Sequence, residues 1–258
     1  MYEAESEFAA LMADAAEKEI LKYFRCPLDI EDKADTSPVT QADKNSERIM
    51  RDLLKERFPD HGIVGEEYGK ENENAEFVWV LDPIDGTKSF IAGVPLFGTL
   101  IALLHNGRPV VGVINQPYTK ERWIGVSGKR TTLNGREIHT RPCSALNRAV
   151  LFSTADETMF NRADKRRFKD LCARTKIARF STDCYGYGLL AAGSGDIVCE
   201  ADLKIYDYAA LVPVVTGAGG VMTDWDGNDL FDNADLGGHV LALGDKHLLT
   251  ETIEALHK

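Results

Sequence analysis

An apolar run over residues 77–81 leads directly into two acids, Asp82 and Asp85, which are separated by a proline and an isoleucine. Proline fixes φ at its own position, and Gly86 lets the backbone approach a ligand closely. We therefore expect a strand that ends in a tight turn, with both carboxylates facing one small volume. Two hard oxygen ligands suit Mg²⁺, and the N–H groups of Gly86 and Thr87 suit a phosphate. The motif thus predicts a metal-assisted phosphatase site.

The same motif has a simpler interpretation, because Asp-Pro and Asp-Gly pairs commonly form turns and helix N-caps. Taken alone, the motif leaves both interpretations open. Other acids favour the metal site: Glu66 and Glu67 follow a short apolar run, which is another strand end that delivers carboxylates. Asp43 lies near the start of a predicted helix, and Asp207 comes much later, ahead of the pair Gly219-Gly220.

In this order and spacing, the acids resemble the motifs of the inositol monophosphatase superfamily, which comprises Mg²⁺-dependent, typically lithium-sensitive phosphomonoesterases. The matching elements run from residue 43 to residue 220 and so cover most of the chain. One position departs from the family pattern, since Tyr206 precedes Asp207 where the family usually has tryptophan. The acid is kept, so the departure concerns local packing rather than the metal site.

The resemblance implies a role for each residue of these motifs. The implied ligands of about two or three Mg²⁺ ions are Glu66, Asp82, the carbonyl oxygen of Ile84, Asp85 and, from across the cleft, Asp207. Thr87 would contact the metal-activated water that attacks the phosphate, Asp43 would accept its proton, and Glu66 would also be catalytic. The N–H groups of Gly86 and Thr87 would hold the phosphate oxygens. Simple N-capping by Thr87 is an alternative that is compatible with catalysis, and Glu67 either assists the metal site or caps a loop.

Further segments resemble the histidinol-phosphate phosphatase branch of this superfamily; they are residues 33–40, 86–91, 95–104, 112–117 and 121–123. A physical argument supports this branch, because Asp183 lies in a loop where inositol monophosphatases tend to have small residues. Asp183 and Glu200 could pair with the ammonium and imidazole groups of histidinol. Arg179 could position Asp183 or lie near the phosphate. Asp183 could instead cap the helix that begins near Cys184, and both roles can hold at once.

The resulting hypothesis is a phosphoric monoester hydrolase that converts histidinol phosphate to histidinol and inorganic phosphate, a step of histidine biosynthesis. The alternative enzyme is an inositol-1-phosphate phosphatase or a broad-specificity phosphatase for small molecules. A protein of another class, a non-catalytic regulator that binds metal or phosphate, would not need the water-activating pair Asp43 and Thr87. In either enzyme, the partner is a small-molecule phosphate ester.

The composition excludes several other classes of function. The formal net charge is −11, and no block of lysines or arginines stands out, which argues against a nucleic-acid partner. The 5 cysteines are scattered without a Cys-x-x-Cys motif, which argues against a disulfide framework or a zinc ribbon and favours a reducing compartment. No apolar run approaches the length of a membrane span, and the acidic first residues lack the pattern of a signal peptide. We therefore expect a cytoplasmic protein with no membrane contact.

Residue periodicity predicts a mixed α+β fold. The predicted helices cover residues 3–24, 41–57, 156–173, 184–193, 206–217 and the C-terminal segment around 248–256. The predicted strands lie at 61–65, 77–81, 98–104, 110–114, 122–126, 149–153, 176–180, 196–200 and 239–243, with more near 129–139. Short turns, such as the one at Asn106-Gly107, indicate antiparallel pairing in the first half.

The resemblance implies an arrangement that periodicity alone does not give. It is a layered α-β-α-β-α sandwich of two abutting halves, often dimeric. The N-terminal half, residues 1–145, would carry most metal ligands and the phosphate-binding turn. The C-terminal half, residues 146–258, would contribute Asp207 and the substrate-specificity loop.

Overall fold

The computed structural model describes residues 1–27, 30–32, 38–154, 160–232 and 238–257. Residues 33–37, which belong to one segment that resembles the histidinol-phosphate branch, lie outside this part of the chain. So do residues 156–159, the start of the helix predicted over 156–173. The helices are α1 (Glu3–Ile20), α2 (Gln41–Arg57), α3 (Thr87–Ile91), α4 (Arg162–Arg174), α5 (Asp183–Ala191), α6 (Ile205–Tyr208), α7 (Leu211–Gly217) and α8 (Leu249–Leu256).

Within the described residues, the strands form two large sheets and one small one. They are β1 (Ile30–Asp32), β2 (Pro38–Thr40), β3 (Gly62–Gly65), β4 (Gly69–Glu71), β5 (Phe77–Asp85), β6 (Gly98–His105), β7 (Arg108–Gln116), β8 (Glu121–Val126), β9 (Thr132–Leu133), β10 (Arg136–Glu137), β11 (Val150–Phe152), β12 (Ile177–Arg179), β13 (Ile197–Glu200), β14 (Val221–Thr223) and β15 (Val240–Leu243). The strand β1 pairs with β2 in a separate two-stranded ribbon.

The first large sheet has 8 strands in the order β10-β9-β8-β7-β6-β5-β3-β4. Its neighbouring strands are antiparallel except for the pair β3 and β5, which is parallel. The second sheet has 5 strands in the order β12-β11-β13-β15-β14. Its strand β11 is parallel to both neighbours, and its other two pairs are antiparallel. The antiparallel pairing predicted for the first half is confirmed.

Alternating residues of each sheet point into different cores, which shows that both sheets are covered on both faces. In β6, Leu100 and Ala102 belong to the core between the two sheets, where α5 and α7 pack. Ile101 and Leu103 point to the other side, toward α1 and α2. In β13, Ile197 packs in a third core that contains residues of α4 and α8. The layers therefore follow the order α-β-α-β-α, and the predicted fold class is confirmed.

The helix α7 lies directly against the first sheet because two paired strand residues have no side chain. Gly112 of β7 and Gly125 of β8 are partners in the register of the sheet. A Cβ atom at Gly112 would lie 2.0 Å from the carbonyl oxygen of Ala210, and one at Gly125 would lie 2.3 Å from the carbonyl carbon of Pro213. This close approach fixes the position of α7 and, with it, the adjoining short helix α6, which carries Asp207.

Several predicted elements differ from the structure. The helix predicted over 3–24 ends at Ile20, and the one predicted over 156–173 begins at Arg162 within the described residues. The helix predicted over 206–217 is divided into α6 and α7, because Pro213 has no N–H to donate to the carbonyl of Ala209. The strand predicted over 77–81 continues to Asp85, where it still pairs with β6 after a register shift. No helix of the described part is long and apolar enough to cross a membrane. The division into halves at residues 145 and 146 stays a prediction.

Candidate active site

The motif residues that follow the apolar part of β5 form an irregular strand end. Asp82 pairs with Leu100 and Asp85 with Gly98, and the register of β5 and β6 shifts between them. Thr99 Oγ1 holds the bulged segment by donating a hydrogen bond to the Pro83 carbonyl oxygen at 2.8 Å. Residue 86 then has a φ of 80°, a value that favours glycine, and α3 begins directly after it. This geometry places both carboxylates beside the first turn of α3.

Carboxylates from three elements meet at this strand end. Asp82, Asp85 and Asp207 each offer one oxygen within 4.8 Å of the others. Glu66 follows β3, and its N–H donates to the Leu81 carbonyl oxygen of the neighbouring strand β5 at 3.1 Å. Glu66 lies close enough to Asp82 for its charge to raise the pKa of that carboxyl. The structure therefore brings together four acids that were chosen as metal ligands from the sequence, although they come from distant parts of the chain.

Asp207 is oriented by its own short helix. The Lys204 N–H donates to Asp207 Oδ2 at 2.6 Å, across the first turn of α6. The neighbouring residue Tyr206, where the family usually has tryptophan, packs partly buried against the core between the sheets. Tyrosine at this position therefore still packs against the core, as an aromatic side chain should.

Asp43 occupies the first turn of α2, as expected, and belongs to a capping box with Thr40. Its Oδ2 accepts hydrogen bonds from the Thr40 N–H at 2.9 Å and the Thr40 hydroxyl at 2.5 Å. The hydroxyl of Thr87 donates to the Ile84 carbonyl oxygen at 3.1 Å. Within the described residues, the predicted relay pair, Thr87 and Asp43, has no direct hydrogen bond.

The helix α5 reaches the same site from the second half of the chain. Asp85 Oδ2 accepts a hydrogen bond from the Cys184 N–H in the first turn of α5 at 2.6 Å. Asp183 has a φ of 45°, and its Oδ2 accepts from the Ser89 hydroxyl at 2.6 Å. A Cβ atom at Gly86 would lie 2.7 Å from Asp183 Cγ, so the Asp183 carboxylate packs against the turn before α3. Asp85 thus caps α5, and the Asp183 side chain faces α3.

Glu200 and Arg179 were the other residues assigned to substrate binding. Glu200 is buried, and its two oxygens accept hydrogen bonds from Thr154 and from the Tyr187 hydroxyl, the latter at 2.8 Å. Arg179 lies at the end of the edge strand β12 with an exposed side chain. Within the described residues, its guanidinium forms no ion pair with Asp183.

Burying this many acids together favours their protonated forms. Burial raises the pKa of Asp82 well above its usual range, and the nearby acids Glu66 and Asp85 raise it further. Burial also raises the pKa of Asp207 to about 7 and that of Asp43 to about 6, and the charge of Glu66 adds to both shifts. The site is thus an electrostatically unfavourable cluster in the absence of cations.

These shifts predict that the metal-free protein loses stability as the pH rises. The pKa of Asp207 is about 7 in the folded state against an ordinary value of 3.8, so the folded protein holds this proton over a pH range where the unfolded chain has lost it. The contribution of this bound proton to folding stability is present at low pH and is lost as the pH rises through about 7. In chelator, we expect the melting temperature to fall by roughly 5 °C between about pH 5 and about pH 7.5.

Differential scanning fluorimetry of the wild type and of Asp207→Asn would measure this effect. The variant lacks the titrating group, so its loss of stability over the same pH range should be smaller. Equal losses in the two proteins would contradict the prediction.

The residues of the cluster fit Mg²⁺. Asp43 Oδ1 and Asp82 Oδ1 are buried and have no hydrogen-bond partner within the described residues. Buried polar atoms without a partner are rare, and an ion or a water is a common reason for them. The donors are carboxylate oxygens, which hard divalent cations prefer, and the positive charge would offset the repulsion among them.

Sequence reasoning missed the residues that hold these carboxylates in place. Ser89, Thr154 and Tyr187 donate to Asp183 and Glu200, and Glu47 contacts the turn that carries Glu66. Hydroxyl donors leave no pattern in a sequence. For Glu47, one signal was available: it lies one helical turn after Asp43, and residues at this spacing share a face of the helix.

Comparisons with known proteins agree with this geometry. The model of the inositol monophosphatase family matches residues 2–258. The bifunctional phosphatase IMPL2, chloroplastic, of Arabidopsis thaliana is 46% identical over 96% of this chain and 75% of that protein. A histidinol-phosphatase of Chlorobaculum parvum is 34% identical over 86% of each chain. The structure of an inositol monophosphatase from Zymomonas mobilis superposes with a TM-score of 0.91 and 45% identity, covering 100% of this chain and 99% of that one. This chain therefore belongs to the inositol monophosphatase family, a family of phosphatases.

Proposed function

We propose that the protein is a Mg²⁺-dependent phosphomonoesterase that hydrolyses histidinol phosphate to histidinol and inorganic phosphate. The observation that carries the choice of substrate is the acidic wall formed by the buried carboxylates of Asp183 and Glu200 beside the phosphate-binding turn. Asp183 packs against Gly86, and Glu200 lies close enough for its charge to act on Asp207. A wall of buried carboxylates suits a substrate with cationic groups. Relatives of this chain that are named as histidinol-phosphatases support the same choice.

The roles of the metal ligands follow from the cluster. Glu66, Asp82, Asp85, Asp207 and the Ile84 carbonyl oxygen would hold the ions. Bound Mg²⁺ supplies charge neutralisation at the phosphate and lowers the pKa of water. Asp85 also fixes α5 through the Cys184 N–H, so one side chain would serve both the metal and the wall that faces the substrate.

The remaining residues would orient the phosphate and move a proton. The N–H groups of Gly86 and Thr87 lie where α3 begins and would bind phosphate oxygens. Asp43 has a pKa raised to about 6 by burial, and its Oδ1 is not committed to another described residue. It would accept the proton of the attacking water, and Thr87 would orient that water through its hydroxyl. Asp43 and Thr87 lie in the first turns of α2 and α3, respectively.

An inositol-1-phosphate phosphatase is the second candidate, and one observation favours it. The Zymomonas mobilis structure, at 45% identity over the full chain, is that of an inositol monophosphatase. A broad-specificity phosphatase would unite the two candidates. A non-catalytic regulator is the remoter alternative. A homodimer and a cytoplasmic location remain predictions for this chain.

The test is phosphate release from histidinol phosphate and from inositol-1-phosphate, measured side by side with Mg²⁺ and again with chelator. We expect kcat/KM to favour histidinol phosphate by about 100-fold, since ionic hydrogen bonds to two cationic groups are absent for a cyclitol. Chelator should abolish both activities.

The variant Asp183→Asn provides a matched control for the choice of substrate. It can keep the hydrogen bond from Ser89 but removes the charge. Its turnover of histidinol phosphate should fall, while turnover of inositol-1-phosphate should stay near the wild-type level. Preference of the wild type for inositol-1-phosphate would contradict the argument from charge but would not affect the proposal of a metal site. No turnover of either ester, or of a wider panel, would favour the regulator.

A further inference from the structure

A buried ion pair on α2 lies behind the turn that carries Glu66. Glu47 and Arg51 are 0% and 4% exposed, and Arg51 Nε donates to Glu47 Oε1 at 2.7 Å. Burying two charges carries a desolvation cost that their mutual attraction often fails to recover. Since such a pair often adds little net stability, its contacts with the backbone are the better guide to its role.

The carboxylate of Glu47 binds two successive N–H groups directly after Glu66. Its Oε2 accepts from the Glu67 N–H at 2.7 Å, and its Oε1 accepts from the Tyr68 N–H at 3.1 Å. Arg51 donates to the Gly69 carbonyl oxygen, at the start of β4. The ion pair thus holds the whole connection between β3 and β4 by its backbone.

The residue before Glu66 leaves space for this contact. A Cβ atom at Gly65 would lie 2.0 Å from Glu47 Oε1, so any other residue there would push the carboxylate away. On its other side, the Glu66 N–H donates to the Leu81 carbonyl oxygen, one residue before Asp82. The backbone of Glu66 is therefore fixed between β5 and the carboxylate of Glu47.

We infer that Glu47 is a positioning residue for the metal site, which sets the Mg²⁺ affinity by fixing the backbone of Glu66 beside Asp82. The inference rests on the proposed function, since it assumes that Glu66 ligates the metal. Residues that orient a metal ligand without touching the metal typically change affinity by about 10- to 100-fold when they are replaced. Glu47 lies outside the set of acids that would contact an ion, so its effect on affinity would pass through Glu66.

The test is calorimetric titration of metal-free protein with Mg²⁺. The variant Glu47→Gln keeps the shape of the side chain but has one acceptor oxygen in place of two. We expect its Kd for Mg²⁺ to rise by about 10-fold or more. Hydrogen exchange of the peptide that contains residues 62–71 should also become faster, since the Glu67 and Tyr68 N–H groups lose an acceptor.

Met50→Ala is the matched control for a loss of stability alone. Met50 is on the same helix, is 0% exposed, and packs in the core between α2 and the first sheet. Its truncation should lower the melting temperature and leave the Mg²⁺ affinity unchanged. Glu47→Asp is a second variant in case Glu47→Gln does not fold. It keeps the charge beside Arg51 but is one methylene shorter, so it cannot reach both N–H groups, and it should also bind Mg²⁺ more weakly.

Three results would overturn the inference. In the first, the folded Glu47 variants bind Mg²⁺ within about twofold of the wild type, against the expected range. In the second, Met50→Ala weakens binding as much as they do. In the third, the wild type itself binds no Mg²⁺, and this result alone would overturn the proposed function as well.

Discussion

Replacing Asp85 with asparagine is expected to lower kcat/KM by about 1,000-fold or more while the protein stays folded. The carboxylate lies within 4.8 Å of the oxygens of Asp82 and Asp207, so the substitution removes charge where the metal would bind. Asparagine keeps an oxygen that can accept the hydrogen bond from the Cys184 N–H, so the cap of α5 is preserved. Phosphate release at saturating Mg²⁺, together with thermal unfolding of the metal-free protein, measures both parts of this expectation.

The metal-free variant should be at least as stable as the wild type, because one of several mutually repelling carboxylates is gone. Asp229→Asn is a suitable control, since this acid is exposed and pairs with Arg108 at 2.7 Å on the surface. It should leave turnover unchanged. A large loss of stability in Asp85→Asn with retained turnover would show a structural role for Asp85 and refute the assignment as a ligand.

Gly86→Ala is expected to lower kcat/KM by about 100-fold or more, because a displacement of about 1 Å at a reacting group has that effect. The new Cβ atom would lie 2.7 Å from Asp183 Cγ, and the φ of 80° disfavours any residue with a side chain. Either the carboxylate of Asp183 or the start of α3 must move. Both lie where the phosphate ester would bind, so steady-state kinetics should show a lower kcat and a higher KM.

Gly93→Ala separates the clash from backbone strain. Gly93 follows the other end of α3 and has a φ of 72°, but a Cβ atom there would meet nothing closer than Arg25 Cγ at 3.4 Å. This variant should lose about 1 kcal/mol of stability and keep its turnover. If the two alanine variants lose the same amount of activity, the close contact between Gly86 and Asp183 has no special part in the reaction.

Helices and strands were predictable where the sequence carries clear signals for their ends. The helix α2 has the predicted bounds, because Thr40 and Asp43 form a capping box at its start and Pro59 follows its end. The short exposed strand β4 was missed, since its sequence Gly69-Lys70-Glu71 lacks the apolar alternation that indicates a strand. The layered arrangement came from the family resemblance alone. Strands that are buried on both faces give continuous apolar runs, and such runs do not show which helix covers which face.

The acids of the candidate site were found by their motifs, but their mutual contacts were not. The hydrogen bond from the Cys184 N–H to Asp85 joins residues 99 positions apart, and no local pattern encodes such a pairing. Glu47 and Arg51 form a Glu–Arg pair four residues apart, which on most helices is a solvent-exposed pair of small effect. Only the packing of β3 and β4 against α2 shows that this pair is buried.

The contact of α7 with Gly112 and Gly125 has a consequence for how the chain tolerates substitution. The Ala210 carbonyl oxygen rests on Gly112, and Asp207 is only three residues earlier, so a methyl group on the sheet would move a carboxylate at the site. The effect of a substitution on turnover therefore does not follow its distance from the acids of the candidate site. A mutational survey scored by turnover alone would place these two glycines among the active-site residues, although neither carries a functional group.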